Sequence, residues 1–190
     1  MNPLASTAIL AALIATPAAA DQFTPLMRDY YETSISTWAQ SDVLVQAIAE
    51  QNARTTAYDQ AMIDQLDQAW RSEVGASSTP TITPVIQNAT ADYLRRLVAE
   101  SGGQITEIFV MDAQGLNVAA SDITSDYWQG DEAKFSETHG AGPGAIHISD
   151  VELDESTQRY QGQLSVTITD PSSGTPIGAV TVGIDAESLM

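Results

Sequence analysis

The sequence predicts an α+β fold in which long N-terminal helices pack on a five-stranded antiparallel sheet. Three observations carry that class. Residues 23–101 space their apolar side chains at helical intervals. Residues 105–184 alternate apolar and polar positions in short β-branched runs between Gly- and Pro-rich turns. The chain has 190 residues, 43% of them hydrophobic, which supports one core and leaves two full-sized domains cramped.

The elements follow in chain order. Residues 1–20 (MNPLASTAILAALIATPAAA) read as a signal peptide, with an apolar core from Leu4 to Ala15 and small residues at Ala18, Ala19 and Ala20 for cleavage. The leader lacks an opening Lys or Arg, and its apolar run falls short of the ~20 residues a membrane span needs. The expected product is periplasmic or secreted and free in solution. Leu26, Tyr30, Ile35 and Trp38, then Leu44 and Ile48, then Met62, Leu66 and Trp70 predict two or three helices. Ser41-Asp42 is placed to cap the second, and a break is expected between Asn52 and Asp59. Gly75–Pro84 (GASSTPTITP) cannot continue a helix. Helical spacing returns over Val85–Ser101 and ends at Gly102-Gly103. The mature chain divides into an N-terminal helical segment, 21–75, and a sheet core, 76–190, together one domain.

The strands are Ile105–Asp112, Leu116–Ser121, Ala145–Leu153, Tyr160–Asp170 and Ile177–Ile184. A tight turn at Ala113-Gln114-Gly115 joins the first two, and a long excursion, Asp122–Pro143, separates the second from the third. Period-two alternation sends Leu164, Val166 and Ile168, with Val180, Val182 and Ile184, to one face, where the helices should lie. The opposite face carries Ser165, Thr167, Ala179, Thr181 and Gly183. Such a face either meets solvent or floors a small-ligand pocket.

Composition removes several function classes. Seven basic against 25 acidic side chains give a net charge of −18, which repels nucleic acid and anionic membranes. Without cysteine there is no disulfide framework, thiolate metal site or cysteine nucleophile. His139 and His147 flank Gly140–Gly144 with no zinc-site spacing and no third ligand. Asp150, Glu152, Asp154 and Glu155 form an acidic run without the Gly or spacing of a calcium loop. The glycines at 140, 142 and 144 are not a dinucleotide fingerprint, and no P-loop or nucleophile elbow occurs. The sequence is read as no enzyme, with no cofactor and no metal.

Binding chemistry concentrates in residues 121–135. Three of the twelve aromatic residues, Tyr127, Trp128 and Phe135, fall there beside Lys134, the only lysine. Aromatic walls with a few convergent polar groups make up small-molecule sites. Lys134 would pair with a ligand carboxylate, while the Tyr127 hydroxyl and Trp128 indole N–H orient it. Asp126 and Ser121 from the same stretch, with His147 and Thr181 from strands, complete the candidate set. The competing reading makes the three rings a cap on the core and gives Lys134 a neighbouring carboxylate. His147 in particular has the simpler role of a satisfied sheet histidine.

Two blocks, ITEIFVMDAQGLNVAASDITSDYWQGDEAKF and VTITDPSSGTPIGAVTVGID, resemble the extracytoplasmic Cache domains, also called PDC or PAS-like sensor domains. In the first, a strand ends in Asp, turns through Gly and returns with V-A-x-S; the second ends in a P-I-G-x-V-x-V strand. Ala47–Asn52 and the run Leu66-Asp67-x-x-Trp70-Arg71 add to the likeness, which covers about residues 40–187. The resemblance implies a sensor that binds a small metabolite between sheet and loop. Family members sit between two membrane spans and signal to a kinase, cyclase or chemotaxis domain; this sequence stops at Met190 after its last strand. The expectation is therefore a stand-alone module working through a separate membrane receptor or kinase. No Arg follows the second strand until Arg159, so the arginine-based amino-acid pattern of some members does not map. The ligand stays a small polar metabolite: carboxylate, amino acid or amine. The alternative is a ligand-free scaffold whose N-terminal helices form a homodimer through Tyr31, Ile35 and Trp38.

Overall fold

The computed structural model describes residues 23–154 and 159–190. The expected signal peptide and Glu155 of the acidic run lie outside the described residues.

The helical part runs α1 (Phe23–Thr33), a 3-10 turn (Ile35–Thr37), α2 (Asp42–Thr55), α3 (Gln60–Glu73), α4 (Thr83–Ile86) and α5 (Ala89–Glu100). Ser41 takes the expected N-cap position of α2, but its hydroxyl makes no capping bond and is buried without a partner among the described residues. Asp59 caps α3 by accepting from the Met62 N–H at 2.9 Å. The helix expected over Val85–Ser101 is two helices. Asn88 interrupts it by capping α5 at the Ala91 N–H, 2.8 Å, while its amide donates to the carbonyls of Pro84 and Val85 at the end of α4. The Gly75–Pro84 segment is held as well: the Glu73 carboxylate accepts the N–H groups of Thr81 and Ile82 at 2.8 and 3.0 Å.

The sheet holds β1 (Ile105–Asp112), β2 (Asn117–Ala120), β3 (Ile146–Ile148), β4 (Glu152–Asp154), β5 (Arg159–Thr169) and β6 (Pro176–Asp185), with a one-turn α6 (Ala133–Ser136) in the excursion. Its main path is β2-β1-β6-β5-β3, all antiparallel, which realises the five-stranded α+β layout, and β4 adds a sixth strand on β5 off that path. The single strand expected over Ala145–Leu153 is instead β3 and β4, which pair with successive stretches of β5.

The aliphatic face packs as the period required. Ile108, Val110, Leu164, Val166, Ile168, Val180, Val182 and Ile184 form one core with Met27, Ile35, Leu44, Ile48 and Leu94 from the helices. Burying each such side chain contributes ~1.5–3 kcal/mol. Of the face offered for a homodimer, Ile35 is fully buried in this core, while Tyr31 and Trp38 are half-buried against it and keep part of their surface exposed.

The other face is covered too. Phe109, Met111, Ala120 and Ala179 pack with Trp70 of α3, Ile82, Val85 and Phe135 of α6 in a second core. Ser165 and Thr181 are fully buried and share a hydrogen bond of 2.9 Å, and the Thr167 hydroxyl donates to the Gly142 carbonyl, also at 2.9 Å. The face that alternation left open to solvent or ligand is therefore closed over most of its area.

Candidate functional site

The excursion between β2 and β3 is positioned by two anchors. The first is the free edge of β2. The Asn117 N–H donates to the Tyr127 carbonyl at 3.0 Å and the Gln129 N–H to the Gly115 carbonyl at 2.8 Å, so residues 127–129 cover the hairpin edge. The Trp128 indole lies against this turn and donates to the Gln114 carbonyl at 2.8 Å. Gly115, at φ +82°, and Gly130 leave the space that this close approach needs. The second anchor is Asp67 of α3. One carboxylate oxygen accepts the N–H groups of Tyr127 and Trp128, at 2.9 and 3.1 Å, and the other accepts Arg71 Nε at 2.8 Å. Arg71 also pairs with Asp126 at 3.2 Å. These carboxylates hold the guanidinium above its ordinary range, the Asp67 hydrogen bond first among them.

Where this covering stops short of the sheet, a cavity of about 110 Å³ remains. Against ~30 Å³ per liquid water, it has room for roughly three or four waters or a ligand of similar bulk. Ile123, Thr124, Ser125, Gln129 and Lys134 line it from the excursion, and Glu107, Phe109 and Gln163 from the sheet. Lys134 Nζ lies 5.4 Å above the Phe109 ring, donates to Gln129 Oε1 at 3.2 Å and pairs with Glu132 at 3.0 Å. Only 15% of the Lys134 side chain is exposed. Across the cavity Glu107 accepts from Gln163 Nε2 at 3.1 Å. Burial pushes the Glu107 carboxyl above its ordinary range, while the Gln163 hydrogen bond and the Lys134 charge pull it back.

Glu107 and Gln163 stand on β1 and β5, two strands apart, both opposite Gly183 of β6. A Cβ at Gly183 would lie 2.7 Å from Glu107 Cγ, so the missing side chain is what lets the pair meet. The next row across the sheet reads Phe109, Thr181, Ser165, His147.

The seven residues expected to bind ligand are not gathered in one place. Lys134 lines the cavity. The Ser121 hydroxyl accepts the Ile108 N–H at 2.9 Å, and Thr181 is sealed against Ser165. His147 Nδ1 lies 2.9 Å from Glu137. Asp126 is held by Arg71 and Trp128 by the hairpin turn. Tyr127 stacks on Trp70 with ring centroids 5.3 Å apart and opens onto a different cleft, described below. Tyr127 and Trp128, expected to orient one ligand together, turn to different partners: one ring stacks on Trp70 and the other lies on the hairpin turn.

Glu107, Gln163, Gln129 and Thr124 were not among the expected residues. The available signal was Glu107 itself, a carboxylate directly before the apolar run Ile108–Met111 in the first strand. Among the described residues no group of three or more His, Asp or Glu side chains is placed to hold a metal, and no helix is long and apolar enough to cross a membrane.

No family model matches the chain, and no curated protein matches it in sequence. Solved structures do align with it. The sensor domain of the V. cholerae histidine kinase DctB has a TM-score of 0.49 and 13% identity, over 89% of this chain and 54% of that one. The sensory domain of the Campylobacter jejuni chemoreceptor Tlp3 with isoleucine bound has a TM-score of 0.41 and 17% identity, over 92% and 66%. The ligand-binding domain of the Pseudomonas aeruginosa amino acid chemoreceptor PctC in complex with GABA has a TM-score of 0.38 and 11% identity, over 79% and 59%. The chain spans about half to two thirds of the length of these sensor domains.

Proposed function

We propose that the chain is an exported sensing module of the Cache type that binds a small zwitterion between Lys134 and Glu107. The observation that carries this reading is the pairing of opposite charges across one cavity of about 110 Å³. A ligand carboxylate displaces Glu132 from Lys134, and a ligand ammonium replaces the proton that burial favours on Glu107. Gln129 and Gln163 supply the neutral hydrogen-bonding groups that fix orientation. Five of the lining residues belong to the excursion, so occupancy tightens the segment that covers the sheet and biases docking to a separate membrane receptor or kinase.

Isothermal titration with glycine, β-alanine and GABA tests the assignment, with succinate and ethanolamine as single-sign comparators. At least one zwitterion is expected to bind saturably and more tightly than either comparator. Lys134→Met and Glu107→Gln should each weaken it tenfold or more, which is ~1.4 kcal/mol apiece. Saturable binding that survives both substitutions, or no binding by any of the three, defeats the proposal.

A further inference from the structure

A second opening lies on the other side of the excursion, beyond the edge of the sheet. It is a cleft of about 550 Å³ between α2, the residues leading into α4 and the start of α5, with Val118 of β2 among its lining residues. That volume falls within the ~300–1,000 Å³ typical of small-molecule sites. It shares no lining residue with the Lys134 cavity.

Its walls are of two kinds. Leu66, Val85 and Val118 are apolar, while Arg54, Tyr58 and Tyr127 bring polar ends to the same space. Arg54 decides the sign of the ligand. In a chain with 25 acidic side chains, its guanidinium forms no ion pair with any described residue and only donates to the Glu50 carbonyl, one turn back, at 3.2 Å. Arg71, Arg95 and Lys134 each hold a carboxylate, whereas Arg28 and Arg96, like Arg54, pair with none among the described residues; of these three only Arg54 lines the cleft. The Tyr127 ring is fixed by its stack on Trp70, and its hydroxyl bonds to no described residue. Burial first, then the charge of Asp112, pushes this phenol up to about 12, with Arg54 opposing, so it stays a hydrogen-bond donor at neutral pH. Asp112 itself lies fully buried, its carboxylate satisfied by Gln51, Thr55 and the N–H groups of Gln114 and Leu116.

We propose that this cleft binds a monocarboxylate with an apolar body, the carboxylate taken by Arg54 and the Tyr127 hydroxyl and the body resting on Leu66, Val85 and Val118. Glu50 lines the same cleft and opposes a second negative charge, which selects one carboxylate over two.

Isothermal titration of the protein with phenylacetate and isovalerate tests the site. At least one should bind saturably, with phenylacetamide and succinate tenfold or more weaker. Arg54→Ala should weaken that binding at least tenfold and Arg54→Lys less, and Tyr127→Phe should weaken it severalfold. Arg54 is exposed, so its substitutions leave the fold in place, which thermal melting checks. Failure of both acids to bind, equal affinity in Arg54→Ala, or tighter binding of phenylalanine than of phenylacetate overturns the proposal. Zwitterion affinity in Arg54→Ala should stay at the parent value; a matching loss there would mean one shared site and would also overturn it.

Discussion

Asp67→Ala is the substitution that most directly separates the excursion from the helices. The carboxylate is nearly buried and accepts three hydrogen bonds, two from the N–H groups of Tyr127 and Trp128 and one from Arg71. Hydrogen bonds to a charged group are worth ~1.5–3 kcal/mol each, and an unpaired buried donor carries its own desolvation cost. Arg71 is 59% exposed and returns to water, so its share is within ~1 kcal/mol. Allowing water to reach one of the two freed N–H groups, the net loss is ~2–4 kcal/mol. For a chain of this length that lowers Tm by roughly 5–15 °C and the urea midpoint by about 1–2 M. Asp67→Asn keeps an oxygen for both backbone donors but turns an amide toward Arg71, so it should lose only about a third as much. Thermal and urea melts of the two variants measure the difference. Asp67→Ala within 2 °C of the parent, or no milder effect of Asn than Ala, would refute the anchoring argument.

The remaining predictions concern single contacts. Because burial raises the Glu107 carboxyl, its ionisation opposes folding: the cost is absent below the ordinary carboxylate range and grows as pH rises through the raised value. Glu107→Gln should thus match the parent in acid and exceed it at neutral pH in urea melts; the reverse order contradicts the assigned cause. By the same sign, zwitterion affinity in the parent should rise with pH over that window, read by titration at pH 4 to 8. Gly183→Ala puts a Cβ 2.7 Å from Glu107 Cγ and 2.6 Å from Thr106 Oγ1, and should cost ~1–3 kcal/mol together with zwitterion binding. Trp70→Phe keeps the stack on Tyr127 but removes the 2.8 Å bond to the Thr124 carbonyl, a loss of ~1–3 kcal/mol visible in a thermal melt.

How much of this was legible in the sequence depends on the distance over which each feature is decided. Leu164, Val166 and Ile168 could face only one way once β5 was recognised, because strand parity is set by the residue itself and its neighbours. The break at Asn88 was equally local, and was missed because apolar spacing on either side continues across it; the cap and its amide bonds to Pro84 and Val85 outweigh the periodicity. What covers the polar face was not local at all. Ser165 and Thr181 look the same in sequence whether they floor a pocket or bond to each other, and only the register of β5 on β6 sets them opposite.

The candidate site follows the same division. Lys134 was found because it is the only lysine, a property of composition. Its counterpart Glu107 meets Gln163 from 56 residues away, and the meeting depends on a glycine in a third strand. Tyr127 and Trp128 make the point most sharply. Adjacent aromatic residues in a polar stretch are bound to find cover, yet their shared sequence context says nothing about the direction of each ring. One is claimed by Trp70 of α3 and the other by the turn at Gln114, so they end on different sides of the same segment. Two openings of different chemistry result: one with both signs of charge on the sheet face, the other with a single unpaired guanidinium at the sheet edge. Because backbone bonds to β2 and Asp67 meet the segment's covering role, Lys134 and Tyr127 line those two openings separately.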